Sequence, residues 1–364
     1  MTQLALPLPV VAVSGTPAEW GAAYGRAAAD LVVGNLEAYR ERFASQAGLD
    51  TTAVRLAGAE FRQATRRYAP RIADALDALA EAAGVDAAEV YALNGRTELL
   101  YGARTLDECT LIGVVRQSTT LAQNWDWHPE QRPYTLLLAT RDERGFTVAT
   151  LAEAGMLAKA GLNSAGVGVC VSLLGCDRDG RPGGVPYHVL LRMALESDSL
   201  TSALRAVCPA PRGASLNMLL GQAWPAGSGD GEVIDLELIP GDMGVLHPVD
   251  GLLTHANHLQ TPLPVRDRLK ELGGSSWFRA ARADRLLRRS GMFTRKDLVA
   301  VFTDHLSYPN AICRHVDDTM PADDRSETVY SVLLDLDDRR LAVASGPPCG
   351  GTYVDVGLDE LLPV

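Results

Sequence analysis

Long apolar runs are missing from this chain: no stretch of about 18 uninterrupted apolar residues occurs, so no membrane-spanning helix is expected. Positive charge is also short. Lys and Arg number 34 against 45 Asp and Glu, a net charge of −11, which argues against a nucleic-acid binder. The imbalance does not by itself argue for an anionic substrate, because local arginines can build an anion site in an acidic protein. The amino terminus lacks a positively charged opening region, so no secretory signal peptide is expected. Six cysteines (Cys109, Cys170, Cys176, Cys208, Cys313, Cys349) are scattered with no CxxC pair, a pattern that suits free thiols in a reducing compartment, with the cytoplasm as the expected location. There is no internal repeat and no low-complexity segment. What remains is an ordinary globular composition, 47% hydrophobic and 22% charged over 364 residues, enough for one large domain or two smaller ones.

The first hundred residues read as almost entirely helical. Thr16-Pro17-Ala18-Glu19 supplies an N-cap, a Pro at the first helical position and an acid at the third, and predicts a helix over 16–47. Gly21, Gly25 and Ala28 recur at near-helical spacing and suit close helix packing. A second helical stretch, 52–83, is expected to break at Pro70 and to stop at Gly84, and Asp86 opens a third over 87–100.

At Cys109 the character changes. Strands are predicted over 111–115, 134–140, 146–151 and 167–171, then over 216–220, 233–239, 244–247 and 251–255. Helices are predicted over 187–207, 276–289 and 295–302, and a last hairpin joins 329–335 to 340–345 around Asp337-Asp338. This order of helices, strands, helices and strands fits an α+β fold with helices outside stacked sheets. The run from Cys109 to Trp127 reads as a hairpin, with Cys109 opening one strand and Asp126 near the end of the other. A thiol there is a candidate nucleophile, and a buried structural cysteine is the alternative.

The chain resembles the acyl-CoA:6-aminopenicillanic acid acyltransferase (isopenicillin-N acyltransferase) family of N-terminal-nucleophile hydrolases along nearly its whole length. The likeness is carried by Ala92-Leu93-Asn94-Gly95-Arg96-Thr97-Glu98, Cys109-Thr110, Gln123-Asn124-Trp125-Asp126 and Gly161-Leu162-Asn163-Ser164-Ala165-Gly166-Val167, followed by Leu253-Thr254-His255-Ala256-Asn257-His258 and Tyr308-Pro309-Asn310-Ala311-Ile312-Cys313-Arg314. It implies a four-layer αββα N-terminal-nucleophile hydrolase fold, made as an inactive precursor. Autocatalytic cleavage would fall between Glu108 and Cys109, giving a helical fragment 1–108 and a β-rich fragment 109–364 that stay associated as one integrated fold. Glu108 stands where many relatives carry Gly.

The resemblance also distributes roles. Cys109 becomes the nucleophile, and its freed α-amino group, with an ordinary pKa of about 7.7–8.0, becomes the general base. Asp126 would orient that amine. Asn257 would donate to the oxyanion, with the backbone N–H of Thr110 as a second donor. Asn124 and Trp125 would shape the site. Arg314 would hold a substrate carboxylate or serve a structural ion pair. Arg96 and Glu98 are expected to form an ion pair joining the two fragments. His255-x-x-His258 has no third ligand at motif spacing, so no metal is expected. Gly161 to Gly166 does not open a helix after a strand, so no phosphate loop is expected. No cofactor is expected, with acyl-CoA conceivable only as a co-substrate.

The function implied is an amidohydrolase or N-acyltransferase acting on a small-molecule acyl amide, or on an acyl-CoA and amine pair, through an acyl-Cys109 thioester. Neither nucleic acid nor membrane is an expected partner. The alternatives are a bile-salt hydrolase (choloylglycine hydrolase) or penicillin V acylase type of amidase, and an uncleaved binding or scaffold protein.

Overall fold

Two β-sheets face each other between two helical layers in the computed structural model, which describes residues 6–100, 109–180, 183–224 and 231–363. Glu108, the residue expected on the leaving side of the cleavage point, lies outside the described residues.

The chain begins with strand β1 (Val10–Ser14), followed by helices α1 (Pro17–Ala27), α2 (Ala29–Ala47), α3 (Thr51–Tyr68), α4 (Pro70–Ala83), α5 (Ala87–Asn94) and α6 (Arg96–Leu99). Thr16 and Glu19 close a reciprocal capping box on α1. Pro70 starts α4, where its missing N–H costs nothing, and Gly84 ends that helix in the left-handed region at φ 69°. The single helix predicted over 16–47 is two helices, because Ala28 leaves helical geometry at φ −121° and ψ 23°. The two small residues of α1 do pack closely: a Cβ on Gly21 would stand 2.3 Å from the carbonyl oxygen of Ala75 in α4.

Next come β2 (Thr110–Val115), β3 (Thr119–Trp127), β4 (Thr135–Arg141), β5 (Thr147–Glu153), β6 (Gly161–Asn163) and β7 (Val167–Leu173). The predicted helix over 187–207 is again two, α7 (Tyr187–Leu195) and α8 (Leu200–Val207), the second capped by Ser199. Strands β8 (Leu216–Gln222), β9 (Glu232–Ile239), β10 (Asp242–Leu246) and β11 (Leu252–His255) follow. The chain closes with α9 (Arg268–Leu272), α10 (Ser276–Ser290), α11 (Arg295–Phe302), β12 (Glu327–Asp335), β13 (Arg340–Ser345), β14 (Val354–Gly357) and α12 (Leu358–Leu361).

The larger sheet has the order β1-β4-β5-β6-β7-β8-β9-β10, and the smaller has β11-β2-β3-β12-β13-β14. All pairings are antiparallel except β1 with β4. Strand β1 corrects the expectation of an almost wholly helical first segment. It adds an edge, from Val10 opposite Leu137 to Ser14 opposite Arg141, to a sheet otherwise built from residues after 109.

Alternation along β2 and β3 shows why both faces of the smaller sheet are apolar. Leu111 and Leu121 point into the core shared with the larger sheet. Ile112, Val114 and Ala122 point the other way, onto Leu287 of α10 and Phe302 of α11. Gly168 on β7 lets the sheets close, since a Cβ there would lie 2.4 Å from Leu336. The helices of the first segment, with α7 and α8, cover the outer face of the larger sheet, and α10 and α11 cover the smaller one. Among the described residues no helix is long and apolar enough to cross a membrane.

Candidate active site

The hairpin of β2 and β3 sets Thr110 opposite Asn124, so Cys109 stands at the sheet end beside Trp125 and Asp126. The backbone N–H of Cys109 donates to Oδ1 of Asn257 at 2.7 Å. Asn257 lies just past β11, the strand beside β2. Its Oδ1 also accepts from Arg279 Nη2 at 2.7 Å, while its Nδ2 donates to the carbonyl of Leu173 at 3.0 Å. Two donors on the oxygen and a carbonyl opposite the nitrogen fix which way the amide points.

Arg279 is one residue, with Lys159, that sequence reasoning missed. It is fully buried on α10 and donates through Nη1 to the Cys109 carbonyl and, at 2.8 Å, to Thr110 Oγ1. Its Nε donates to Ser275 Oγ at 3.0 Å. One guanidinium therefore grips Cys109, Thr110 and Asn257 together. The signal was present in the sequence: Arg279, Ala283 and Leu287 share the buried stripe of one helix, and an arginine in such a stripe needs a polar purpose.

Asp126 is fully buried, and β3 alternation turns its carboxylate with Asn124 towards the outer side of the sheet. Its Oδ1 accepts from Thr328 Oγ1 at 2.6 Å, and its Oδ2 is 3.9 Å from Arg314 Nε. The backbone N–H of Asp126 faces the Cys109 sulfur. In the continuous chain the nitrogen of Cys109 is held by Asn257, and Asp126 meets Cys109 through its backbone. Asn124 ties the layers together, with Nδ2 donating to the carbonyls of Phe302 and Ile312 and Oδ1 accepting from Ser331.

Arg314 is buried against Asn310 and Asp126 and does not line the cavity described below. Of its two expected roles, this location fits the ion pair. The pair expected between Arg96 and Glu98 takes a different form. Arg96 Nε pairs with Glu153 Oε2 at 3.1 Å, and Glu98 accepts the Tyr187 N–H at 2.7 Å. Both contacts do join the segment before residue 109 to the one after it. The partners were not legible because Glu153 and Tyr187 are far away in sequence.

Glu153 anchors a second buried group. It accepts from Tyr39 at 2.6 Å, and Lys159 Nζ lies 3.4 Å away. Lys159 also sits 3.7 Å from the ring centre of Trp125, and Arg96 stacks 3.8 Å over Trp127. Burial would raise the Glu153 pKa, but Arg96 and Lys159 outweigh it and hold the group at about 2. Lys159 is the weaker of the two cations: burial and the Arg96 charge bring it down to about 7. The Cys109 thiol is pushed up to about 12 by burial and the Asp126 carboxylate, with Lys159 and Arg279 pulling the other way.

Cys109, Trp125 and Lys159 meet on the wall of a cavity of about 460 Å³ between the sheets, closed further out by Leu173, Leu269 and Leu272. Its wall is mainly apolar, with the cations of Arg96 and Lys159 at its depth and Arg266 and Arg268 among the residues of α9 and its approach. Such a chamber fits an acyl chain whose carbonyl reaches the sulfur.

The two histidines of the His-x-x-His segment are engaged elsewhere. His255 is fully buried between Glu237 Oε1, 2.9 Å from Nε2, and the Ala256 carbonyl, 2.9 Å from Nδ1. Burial works against its charge, but Asp235 and Glu237 more than offset this and raise its pKa. His258 Nδ1 is 2.9 Å from Ser276 Oγ. Asn163 spans its own turn, accepting from the amides of Ala165 and Val167.

Residues 115–349 match the family model described as Acyl-coenzyme A:6-aminopenicillanic acid acyl-transferase. The chain is 30% identical over 351 residues to the acyl-coenzyme A:6-aminopenicillanic-acid-acyltransferase 40 kDa form of Emericella nidulans, covering 93% of this chain and 92% of that protein. Among solved structures, penicillin V acylase from Agrobacterium tumefaciens aligns with a TM-score of 0.44 at 13% identity, over 65% of this chain and 82% of its own. A conjugated bile acid hydrolase variant from Clostridium perfringens aligns with the same TM-score and identity, over 69% of this chain and 94% of its own.

Proposed function

The chain belongs to the acyl-coenzyme A:6-aminopenicillanic acid acyl-transferase family, and from that premise we propose a self-processing N-terminal-cysteine enzyme that transfers an acyl group through a thioester on Cys109. The observation that carries this reading is the setting of Cys109. Its nitrogen is held by Asn257 while the residue itself lines an acyl-sized apolar cavity.

In the precursor the Cys109 nitrogen is an amide and cannot serve as a base, and the thiol stays protonated in its buried setting. Cleavage before Cys109 turns the same atom into an amine. The sulfur of Cys109 attacks the carbonyl of Glu108, the peptide C–N bond breaks, and the nitrogen takes a proton; water then releases the Glu108 carboxylate. Fragments 1–108 and 109–364 remain together because the contacts joining them are not the bond that is cut. These contacts are β1 on β4, Arg96 on Glu153, and Tyr187 on Glu98.

In turnover the amine takes the thiol proton, and sulfur adds to the acyl carbonyl of an N-acyl amide or an acyl-CoA thioester. The leaving amine or thiol departs with the proton. Water or an acceptor amine then attacks the acyl-Cys109 thioester and regenerates the thiol. The oxyanion is assigned to the second N–H of Asn257 Nδ2, because Thr110 is paired with Asn124 in the β2–β3 ladder and its backbone N–H is turned to that strand. Asp126 is assigned a positioning role on the Cys109 end of the hairpin, and Arg314 backs Asp126. A denaturing gel tests the processing step. Wild-type protein is expected as two fragments and Cys109→Ala as one full-length band; a Cys109→Ala chain that still splits before residue 109 overturns the reading.

A further inference from the structure

Away from the cavity, the segment after α11 and the turn after β13 bring two imidazoles and two thiols to one point. The ligand atoms of His305, Cys313, His315 and Cys349 all lie within 4.8 Å of one another. His315 Nε2 is 3.2 Å from His305 Nε2, 3.3 Å from Cys349 Sγ and 3.7 Å from Cys313 Sγ. A tetrahedral zinc with bonds of about 2.0–2.1 Å to nitrogen and 2.3 Å to sulfur has edges of roughly 3.3 Å between nitrogens and roughly 3.6 Å between nitrogen and sulfur. The measured separations fall close to those edges.

From this geometry we propose that His305, Cys313, His315 and Cys349 form a Cys₂His₂ site for a structural zinc ion. Two neutral imidazoles and two thiolates are the donor set zinc takes when no coordination position is left open to water or substrate. Tyr308 packs its ring near both imidazoles, with centroids 6.0 Å from His305 and 5.1 Å from His315, which limits their rotation. Cys313 is buried, whereas His305 and Cys349 are exposed, so an ion can enter from the surface. No motif spacing announces this site. Its ligands come from two segments more than thirty residues apart, and the more closely spaced pair, His255-x-x-His258, is taken up by hydrogen bonds.

The consequence for the fold is local. Cys313 and His315 flank Arg314, which faces Asp126, and the neighbouring Ile312 carbonyl receives Asn124. A metal tying this segment to Cys349 fixes the backbone behind the hairpin that carries Asp126. The site rests on these four residues and not on acyl transfer, so either proposal can fail without the other.

The test uses the full-length protein, purified with a phosphine reductant and without chelators. Elemental analysis is expected to find one zinc per chain. Cobalt replacing zinc is expected to give intense tetrahedral absorption bands together with thiolate-to-metal charge transfer. Cys349→Ser, altered at an exposed turn, is expected to lose the zinc on dialysis and to weaken the charge-transfer band, while Cys208→Ser retains both. Substoichiometric metal with both thiols free overturns the site, as do weak octahedral cobalt bands. So does a Cys313–Cys349 disulfide whose reduction restores no metal binding.

Discussion

The side-chain oxygen of Asn257 lies 2.7 Å from the backbone nitrogen of Cys109, so the residue carrying the thiol is gripped at the atom that the proposed cleavage would convert into an amine. Arg279 shares that oxygen and also holds the Cys109 carbonyl. Asn257→Ala removes the acceptor from two buried donors and is expected to cost roughly 1–3 kcal/mol of stability. It should also lower turnover roughly 10²–10³-fold, the loss seen when an oxyanion donor is deleted. Asn257→Asp keeps the acceptor and should process faster than Asn257→Ala. Denaturant titration and fragment appearance on gels measure the two effects, and equal processing by both variants removes the assigned grip.

Lys159 offers a pH-dependent test. Its ammonium favours the Cys109 thiolate and is lost as pH rises through about 7. Lys159→Met should therefore slow alkylation of Cys109 below that pH by about tenfold, one pKa unit. Above it the two proteins should converge. A constant ratio from pH 6 to 9 would place the effect in packing against Trp125 instead.

Glu153 connects charge to acid stability. Its pKa is lower in the folded protein than the ordinary 4.5, so its contribution is fully present above about 4.5 and is lost as pH falls towards 2. Glu153→Gln leaves Arg96 and Lys159 buried without their shared carboxylate and is expected to cost roughly 3–5 kcal/mol near neutral pH. The gap to wild type should narrow on acidification. Thermal or urea unfolding between pH 2.5 and 7 reads it; a gap independent of pH would contradict the ion-pair assignment.

Arg314 lies behind Asp126 and not on the cavity wall. Arg314→Ala should accordingly depress turnover of neutral and carboxylate-bearing substrates alike, by about tenfold, comparable to the loss of a supporting outer contact. A rise in KM confined to carboxylate substrates would return this arginine to the binding site.

Much of the architecture was legible because the chain punctuates itself locally. The helix over Arg295–Phe302 and the strand over Arg340–Ser345 fall where their caps and alternation put them, and Pro70 ends one helix and begins another. The hairpin that presents Cys109 was equally clear. The break at Ala28 was not, because alanine carries no breaker signal and tertiary packing set the angle. Strand β1 was missed since its partner β4 lies more than a hundred residues away and its own five residues alternate weakly. The site divided along the same line. Cys109, Asp126 and Asn257 entered as candidates through the family resemblance of the short motifs that carry them. Arg279 and Lys159 were not singled out: the buried stripe of α10 marked Arg279 as unusual, but the contacts that place either residue beside Cys109 form only when distant layers close.

Intact mass spectrometry of the purified protein, alone and after brief incubation with a panel of acyl amides and acyl-CoA esters, tests the central proposal most directly. The expected result is a fragment beginning at Cys109 that gains the mass of one acyl group, with the adduct mapped to that residue and absent from Cys109→Ala. A full-length chain that turns over substrate without cleavage, or an acyl group found on any other residue, would contradict it.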